Sequence, residues 1–200
     1  MNRLIILGAS GHGKVVADIA HLNGYNDIVF LDNNIEIKEC LGYPVIGNDS
    51  AVDELEGDLF IAIGNSSIRK RLMNTYSNRF FPVLIHPSAV VAKDVVMNPG
   101  SVVMAGAVIN SGTIIGKGVI INTCSSVDHD CIVSNYVHVA VGAHICGTVN
   151  IGSESWIGAG AIIKNNVYIC ENCLIGAGAV VVKNINSQGT YVGVPAKAIL

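Results

Sequence analysis

The sequence predicts a small parallel α/β domain over residues 1–84, followed by an all-β parallel β-helix over residues 85–200. Three observations carry this. An aliphatic residue recurs at every sixth position from Ile85 through Val91, Met97 and Val103 to Ile175 and Val181, with no break in register. Four positions after most of these comes a small or β-branched residue, as at Ala89, Ser101, Ala107, Thr113, Ser125, Ala143, Ala161 and Ala179. Before Ile85, short apolar runs alternate with helical segments and glycine turns. A period of six fits neither the helical 3.6 nor strand alternation; it is the rhythm of a solenoid of short strands.

In chain order, the stretch from Asn2 through Leu4–Leu7 reads as a first strand, not a signal peptide. The loop Gly8-Ala-Ser10-Gly11-His12-Gly13 leads into a helix around Val15–Ala20, which Asn23-Gly24 ends. Ile28–Leu31 is a second strand closing on Asp32-Asn33-Asn34, Tyr43–Ile46 a third, and Leu59–Ile63 a fourth closed by Gly64-Asn65. Ser66 or Ser67 is placed to cap a helix over Ile68–Tyr76, and Phe80–Leu84 reads as the last strand before His86-Pro87. Strands alternating with helices imply a small Rossmann-like parallel sheet. From Ile85 each hexapeptide is one short strand and a turn. It buries its aliphatic residue only by stacking on its neighbours, strands about 4.8 Å apart.

The glycine loop after the first strand suits a phosphate, since backbone N–H groups and a helix N-terminus converge there. Asp32 stands where a dinucleotide fold keeps an acid for a ribose or base edge. The spacing departs from the full NAD fingerprint and the domain is short, so a nucleotide sugar is the better ligand. His12 and Lys14 are candidate phosphate partners.

Only 14% of the 200 residues are charged and the formal net charge is −3, with no long basic run; nucleic acid is not an expected partner. No apolar run approaches a membrane span. Six scattered cysteines without an export signal point to reduced thiols in the cytoplasm. Cys131 and Cys173 fall on the small inward position; Cys170-Glu-Asn-Cys173 has no second pair, which argues against a zinc site.

One β-helix segment is unlike the rest: Asn122, Asp128, His129, Asp130 and His138 gather within seventeen residues. His129, two residues after Val127, lies near a corner and points outward; His138 sits just before Val139. Gly147, eighteen residues after His129, stacks one coil above it and leaves room for the imidazole. A histidine beside a carboxylate suits general-base chemistry near neutral pH. Histidines can also bind zinc across an interface, and His129, His138 and His144 allow that reading, but no metal is expected.

The motifs Gly8-Ala-Ser-Gly-His-Gly, Phe30-Leu-Asp-Asn33, Phe60-Ile-Ala-Ile-Gly-Asn65, the Asn122 to Gly142 block and Tyr191-Val-Gly-Val-Pro-Ala-Lys197 together resemble the sugar O/N-acyltransferase family. That family includes UDP-4-amino-sugar (bacillosamine-type) and GDP-perosamine N-acetyltransferases and sialic acid O-acetyltransferases. The resemblance implies a left-handed β-helix, a homotrimer, and acetyl-CoA as cosubstrate in the cleft between adjacent helices. It implies His129 as general base oriented by Asp130, with His138 and the Gly147 N–H near the thioester. By the same resemblance, Ala159 and Ala177 are expected to flank the pantetheine arm. It likewise implies that Ser10, Gly11, His12, Asp32, Asn33, Gly64 and Asn122 contact the nucleotide sugar and that the closing segment lies near the adenine. Bacillosamine-type relatives often carry glutamate where this chain has Asp130. The implied reaction is N-acetylation of the 4-amino group of a UDP-4-amino-4,6-dideoxy-N-acetyl sugar. The alternatives are O-acetylation of sialic acid or another sugar hydroxyl, and a non-catalytic β-helix assembly protein.

Overall fold

The computed structural model describes residues 3–199; Asn2, at the start of the expected first strand, lies outside them. The N-terminal half is a five-stranded sheet in the order β3-β4-β2-β1-β5. Its elements are β1 (Arg3–Leu7), α1 (Gly11–Leu22), β2 (Asp27–Leu31), β3 (Glu39–Cys40), β4 (Tyr43–Gly47), β5 (Asp58–Ile61) and α2 (Ser66–Thr75). β1 pairs in parallel with both β2 and β5, and all three are apolar because both faces are covered. The β3–β4 hairpin, which the sequence does not announce, is antiparallel. It turns on Leu41 and Gly42, both at positive φ, which two-residue hairpin turns require.

Two local expectations are corrected. The cap of α2 is Asn65, whose side chain accepts the Ile68 N–H at 2.9 Å, and the helix already begins at Ser66. Phe80–Leu84 is not a strand of the α/β sheet. Pro82 lacks the N–H a ladder needs, and Leu84–Ile85 pairs instead with Val102–Val103 as the first strand of the β-helix.

From Leu84 the chain winds into a three-sided parallel column. Residues eighteen apart pair directly: Ile120 with His138, Ser126 with His144, Ile132 with Asn150. Face I contains Leu84–Ile85, Val102–Val103, Ile120–Ile121, His138–Val139, Trp156–Ile157 and Cys173–Ile175; face II starts at Val90–Val91 and face III at Val96–Met97. The six-residue aliphatics point inward, and from Val103 to Val181 every one is buried. The inward small polar residues are fully buried too, and backbone groups satisfy them. Ser101 Oγ donates to Gly116 O at 2.7 Å and Thr113 Oγ1 to Asp128 O at 2.8 Å. Every sixth residue from Gly100 to Gly178 has positive φ, one per corner; at Cys124, Asp130, Tyr136, Thr148, Glu154, Asn166 and Asn172 it is not glycine. After Val181 the strand Gly189–Val192 extends face I and Lys197–Ile199 folds back on it, covering the last coil.

The two halves are packed as one body. Outward residues on faces II and III stay exposed, as at Val90, Val96, Ile114 and Ile132. On face I the outward column Leu84, Val102, Ile120 is buried against Val16, Ile19 and Ala20 of α1. α2 lies on the corner between faces III and I, where Met73 fills the space that Gly100 and Gly118 leave open. Arg69 of α2 is 1% exposed. It donates to Ile63 O (2.7 Å) and Gly64 O (2.9 Å) in its own half, and to Gly118 O and Tyr136 O (both 2.7 Å) in the β-helix. Burial lowers its pKa to about 10, still high enough to keep it charged. At the surface, Lys70 adds an ion pair to Glu154.

Breaking a buried, charge-assisted network is among the costlier single changes. Arg69→Met is expected to lose at least about 3 kcal/mol of stability, and Arg69→Lys most of that, because an ammonium cannot match a planar fork. Urea unfolding followed by the fluorescence of Trp156, the single tryptophan, reads this directly. An unchanged midpoint for Arg69→Met would show that the clamp contributes nothing.

Candidate active site

The α/β sheet opens a crevice where strand order reverses about β1, the usual ligand position in such sheets. A cleft of about 270 Å³ there is lined by residues that include Gly8, Asp32, Asn33, Ile63 and Arg71. Gly8 is at φ +107, and a Cβ there would meet Ala62 O at 2.8 Å. Asp32 braces this loop: one carboxylate oxygen accepts the Ala9 N–H at 2.7 Å, the other the Asn34 N–H at 2.8 Å. Ser10 is the N-cap of α1 but makes no side-chain cap bond. No motif in the sequence marks Arg71; only the direction of α2 brings it here.

A second cleft, about 430 Å³, lies where the α/β half stops covering face I. Gly11, His12 and Gly64 line it from one side, and Met104, Asn122, His138, Trp156 and Ala159 from the other. The outward column explains its position: Leu84, Val102 and Ile120 are covered, His138 is 6% exposed, and Trp156 is 37% exposed. His138 packs against Trp156 with tilted rings, centroids 4.1 Å apart, and its centroid lies 6.4 Å from that of His12. His138 Nε2 meets Asn122 Nδ2 at 3.1 Å. Two buried imidazole nitrogens, His12 Nε2 and His138 Nδ1, have no hydrogen-bond partner among the described residues. Burial, then the Arg69 charge, pushes His12 down to about 4. Burial, then Arg69 and His12, pushes His138 down to about 3. Both rings are therefore neutral at pH 7, and His12 faces this cleft, not open solvent.

His129 stands elsewhere. Its turn joins faces II and III, the edge of the column opposite face I. The ring is exposed, with Nδ1 2.8 Å from Asp130 Oδ2 and Nε2 4.0 Å from Asp128 Oδ2. Asp130 reaches back to its neighbour because its φ is +57°, a conformation aspartate tolerates better than most residues. The hydrogen bond His129 donates to Asp130, then the charge of Asp128, raises the His129 pKa. With Nδ1–H held by Asp130, Nε2 carries the lone pair. Gly147 lies directly over the ring: a Cβ there would meet Nε2 at 2.6 Å. The Gly147 N–H bonds to no other backbone group among the described residues.

Residues close in sequence are thus split in space. Within one chain, His129, Asp130 and Gly147 form one group, while Asn122, His138, His12 and Gly64 form another across the column. Ala159 and Ala177 stack on the corner between faces I and II, bordering the second group. His144, on face II, bonds to Ser126 at 2.9 Å, so His129, His138 and His144 do not converge within one chain.

Both halves of the chain have known relatives. The PglD N-terminal domain family matches residues 3–76, and the bacterial transferase hexapeptide (six repeats) family matches residues 148–183. A UDP-N-acetylbacillosamine N-acetyltransferase of Bacillus subtilis (strain 168) is 34% identical over 107 residues, 48% of this chain and 49% of that protein, so the match spans about half the length of that relative. The acetyltransferase domain of PglB from Neisseria gonorrhoeae FA1090, solved in complex with acetyl coenzyme A, is 41% identical with a TM-score of 0.96, covering 100% of both chains. A mutant of perosamine N-acetyltransferase from Caulobacter crescentus, solved with CoA and GDP-perosamine, is 33% identical with a TM-score of 0.95, covering 100% of this chain and 97% of the other. These matches bear out the resemblance seen in the sequence, and with it the left-handed β-helix.

Gly147→Ala is expected to force the His129 ring off Asp130 and return its pKa toward 6.5, readable by NMR titration; an unmoved pKa would mean that the space above the ring is not what holds it. The depressed pair makes a second prediction. Below pH 6.5 the unfolded chain takes up protons at His12 and His138, while the folded chain does not until about 4 and about 3. Stability is therefore constant from this source above 6.5 and falls as pH drops below it, by up to about 1.4 kcal/mol per pH unit for each ring. Denaturation at pH 7 and pH 5 should show a smaller loss for His138→Asn than for the unaltered protein. Equal losses would place His138 in contact with water.

Proposed function

Because this chain belongs to the hexapeptide-repeat sugar N-acetyltransferases with a PglD-type N-terminal domain, we propose that it transfers the acetyl group of acetyl-CoA to the 4-amino group of a UDP-4-amino-4,6-dideoxy-N-acetyl sugar. The observation that carries this is the His129–Asp130 pair beneath Gly147. It combines a basic Nε2, a carboxylate holding Nδ1, and an adjacent backbone N–H. The sugar nitrogen attacks the thioester carbonyl carbon directly, and His129 Nε2 takes the ammonium proton as the C–N bond forms. The Gly147 N–H stabilises the oxyanion. Collapse breaks the C–S bond, and the proton passes to the departing CoA sulfur. No acyl-enzyme is needed.

The nucleotide occupies the crevice at Gly8, Asp32 and Asn33, near the Arg71 cation. The sugar passes Gly64 toward the imidazole cleft. Since His129 and that cleft lie on opposite sides of one column, a complete site needs two copies, and a homotrimer supplies three such seams. Exposed aliphatics on face III, Val96, Ile114 and Ile132, give copies an apolar surface to bury. The pantetheine arm runs past Ala159 and Ala177, where small side chains leave it room.

Thiol release from acetyl-CoA should be seen with a UDP-4-amino sugar and be weaker with GDP- and dTDP-amino sugars. Activity on sialic acid alone would overturn the N-acetyl assignment. His129→Ala should lower turnover by the 10²–10⁴ typical of a general base. Co-assembled His129→Ala and His138→Ala subunits should regain part of the activity each lacks alone. No recovery in mixed assemblies would refute the shared site.

A further inference from the structure

We infer that Asn122 is a positioning residue that locks His138 in its Nδ1-protonated tautomer, so that the cleft offers a neutral N–H donor to an oxygen of the bound substrates. The role of that oxygen rests on the function proposed above; the tautomer does not. Donors and acceptors fix it in sequence. Asn122 Oδ1 accepts the Thr123 backbone N–H at 2.8 Å. A backbone N–H can be taken only by the oxygen of an amide, so the side-chain orientation is settled. The group 3.1 Å from His138 Nε2 is then the Asn122 NH₂, which can only donate. Nε2 must therefore present its lone pair. A neutral imidazole carries one proton, and the only nitrogen left for it is Nδ1.

That Nδ1–H is buried and makes no hydrogen bond of normal geometry among the described residues; the Gly64 backbone carbonyl near the ring favours a proton on it without closing such a bond. A buried donor left without a partner costs free energy unless something arrives to take it. The ring cannot swing to find one. Trp156 packs against it from the next coil at 4.1 Å, and the His138 backbone is in the face I ladder. Burial first, then the Arg69 guanidinium from α2 and His12 from α1, keep the second proton off the ring, against an opposing pull from the Gly64 carbonyl. Its neighbours in the adjacent coils, Asn122 and Trp156, carry no charge. A fixed, uncharged donor beside a buried cation suits an oxygen with partial negative charge. The thioester carbonyl and an oxygen of the sugar both have that chemistry.

The test uses the full chain labelled with ¹⁵N in its histidines. Long-range proton–nitrogen correlation is expected to show the His138 proton on Nδ1 in the unliganded protein. Asn122→Asp keeps the shape but places an acceptor at Nε2, so the proton should move there, turnover should fall at least tenfold, and KM for acetyl-CoA should change less than kcat. Acetyl-CoA added alone should shift Nδ1 if the acyl oxygen is the acceptor, with CoA as the negative arm; a UDP-amino sugar should do so if a sugar oxygen is. Protonation at Nε2 in the unaltered protein, or an unchanged tautomer in Asn122→Asp, would overturn the inference. So would the absence of a shift with every ligand that binds. Should Asn122→Asp fail to fold, the unaltered protein alone decides the tautomer. An Nδ1-protonated ring in a protein that releases no thiol from acetyl-CoA would sink the proposed function and leave the tautomer standing.

Discussion

Four backbone carbonyls converge on the guanidinium of Arg69, two from each half of the chain, and no carboxylate is among them. A buried cation without a counter-ion is costly unless every N–H it presents is well used. Here the planar fork spans Ile63 and Gly64 on one side and Gly118 and Tyr136 on the other, so the charge is tolerated only when both halves are in register. The same charge sets the electrostatics of the cleft beside it: it opposes protonation of His12 and of His138. One residue thus decides where the two walls stand and adds its charge to burial in keeping both imidazoles uncharged. It would also disfavour the ammonium form of an amine brought nearby, and an amine must lose its proton before it can act as a nucleophile.

Most of the architecture is legible in residue order because the β-helix obeys a local rule. Each inward aliphatic needs only the coil above and below, so the position of Ile121 or Ile157 follows from counting by six. The placement of Gly147 over His129 follows from counting by eighteen, and in the structure a methyl added at Gly147 would stand 2.6 Å from the ring nitrogen. Counting fails where contacts depend on docking. Arg69 resembles one more helical surface charge, because nothing in Ser66–Thr75 announces a carbonyl cage. The Phe80–Leu84 run has the composition of a strand, and Pro82 is the signal against it. The Asn122–His138 block reads as one cluster because proximity along a solenoid is easily mistaken for proximity in space; fewer than two hexapeptides carry the chain from one edge to the opposite face.

Each corner of the column places a residue at positive φ, and glycine is the unstrained choice there. Asp130 forgoes it, and what is gained is a carboxylate turned back onto the preceding imidazole. The strain is small for aspartate and local to the group it orients, as backbone outliers near functional groups often are. Tyr136 and Glu154, on the corner under α2, hold the same conformation with a different benefit: the Tyr136 carbonyl meets Arg69, and the Glu154 side chain meets Lys70.

The burial gradient along face I has a consequence for how such enzymes diverge. The cleft opens at the row of His138 because the α/β half shelters just the three rows before it. The column acts as a ruler with one mark per coil, roughly 4.8 Å apart. Inserting or deleting eighteen residues upstream of Ile120 would leave every inward contact type intact while sliding the sheltered zone along the ruler by one mark. The distance between the sheltered zone and the edge where His129 stands could then be retuned in whole steps, with no need to redesign that edge.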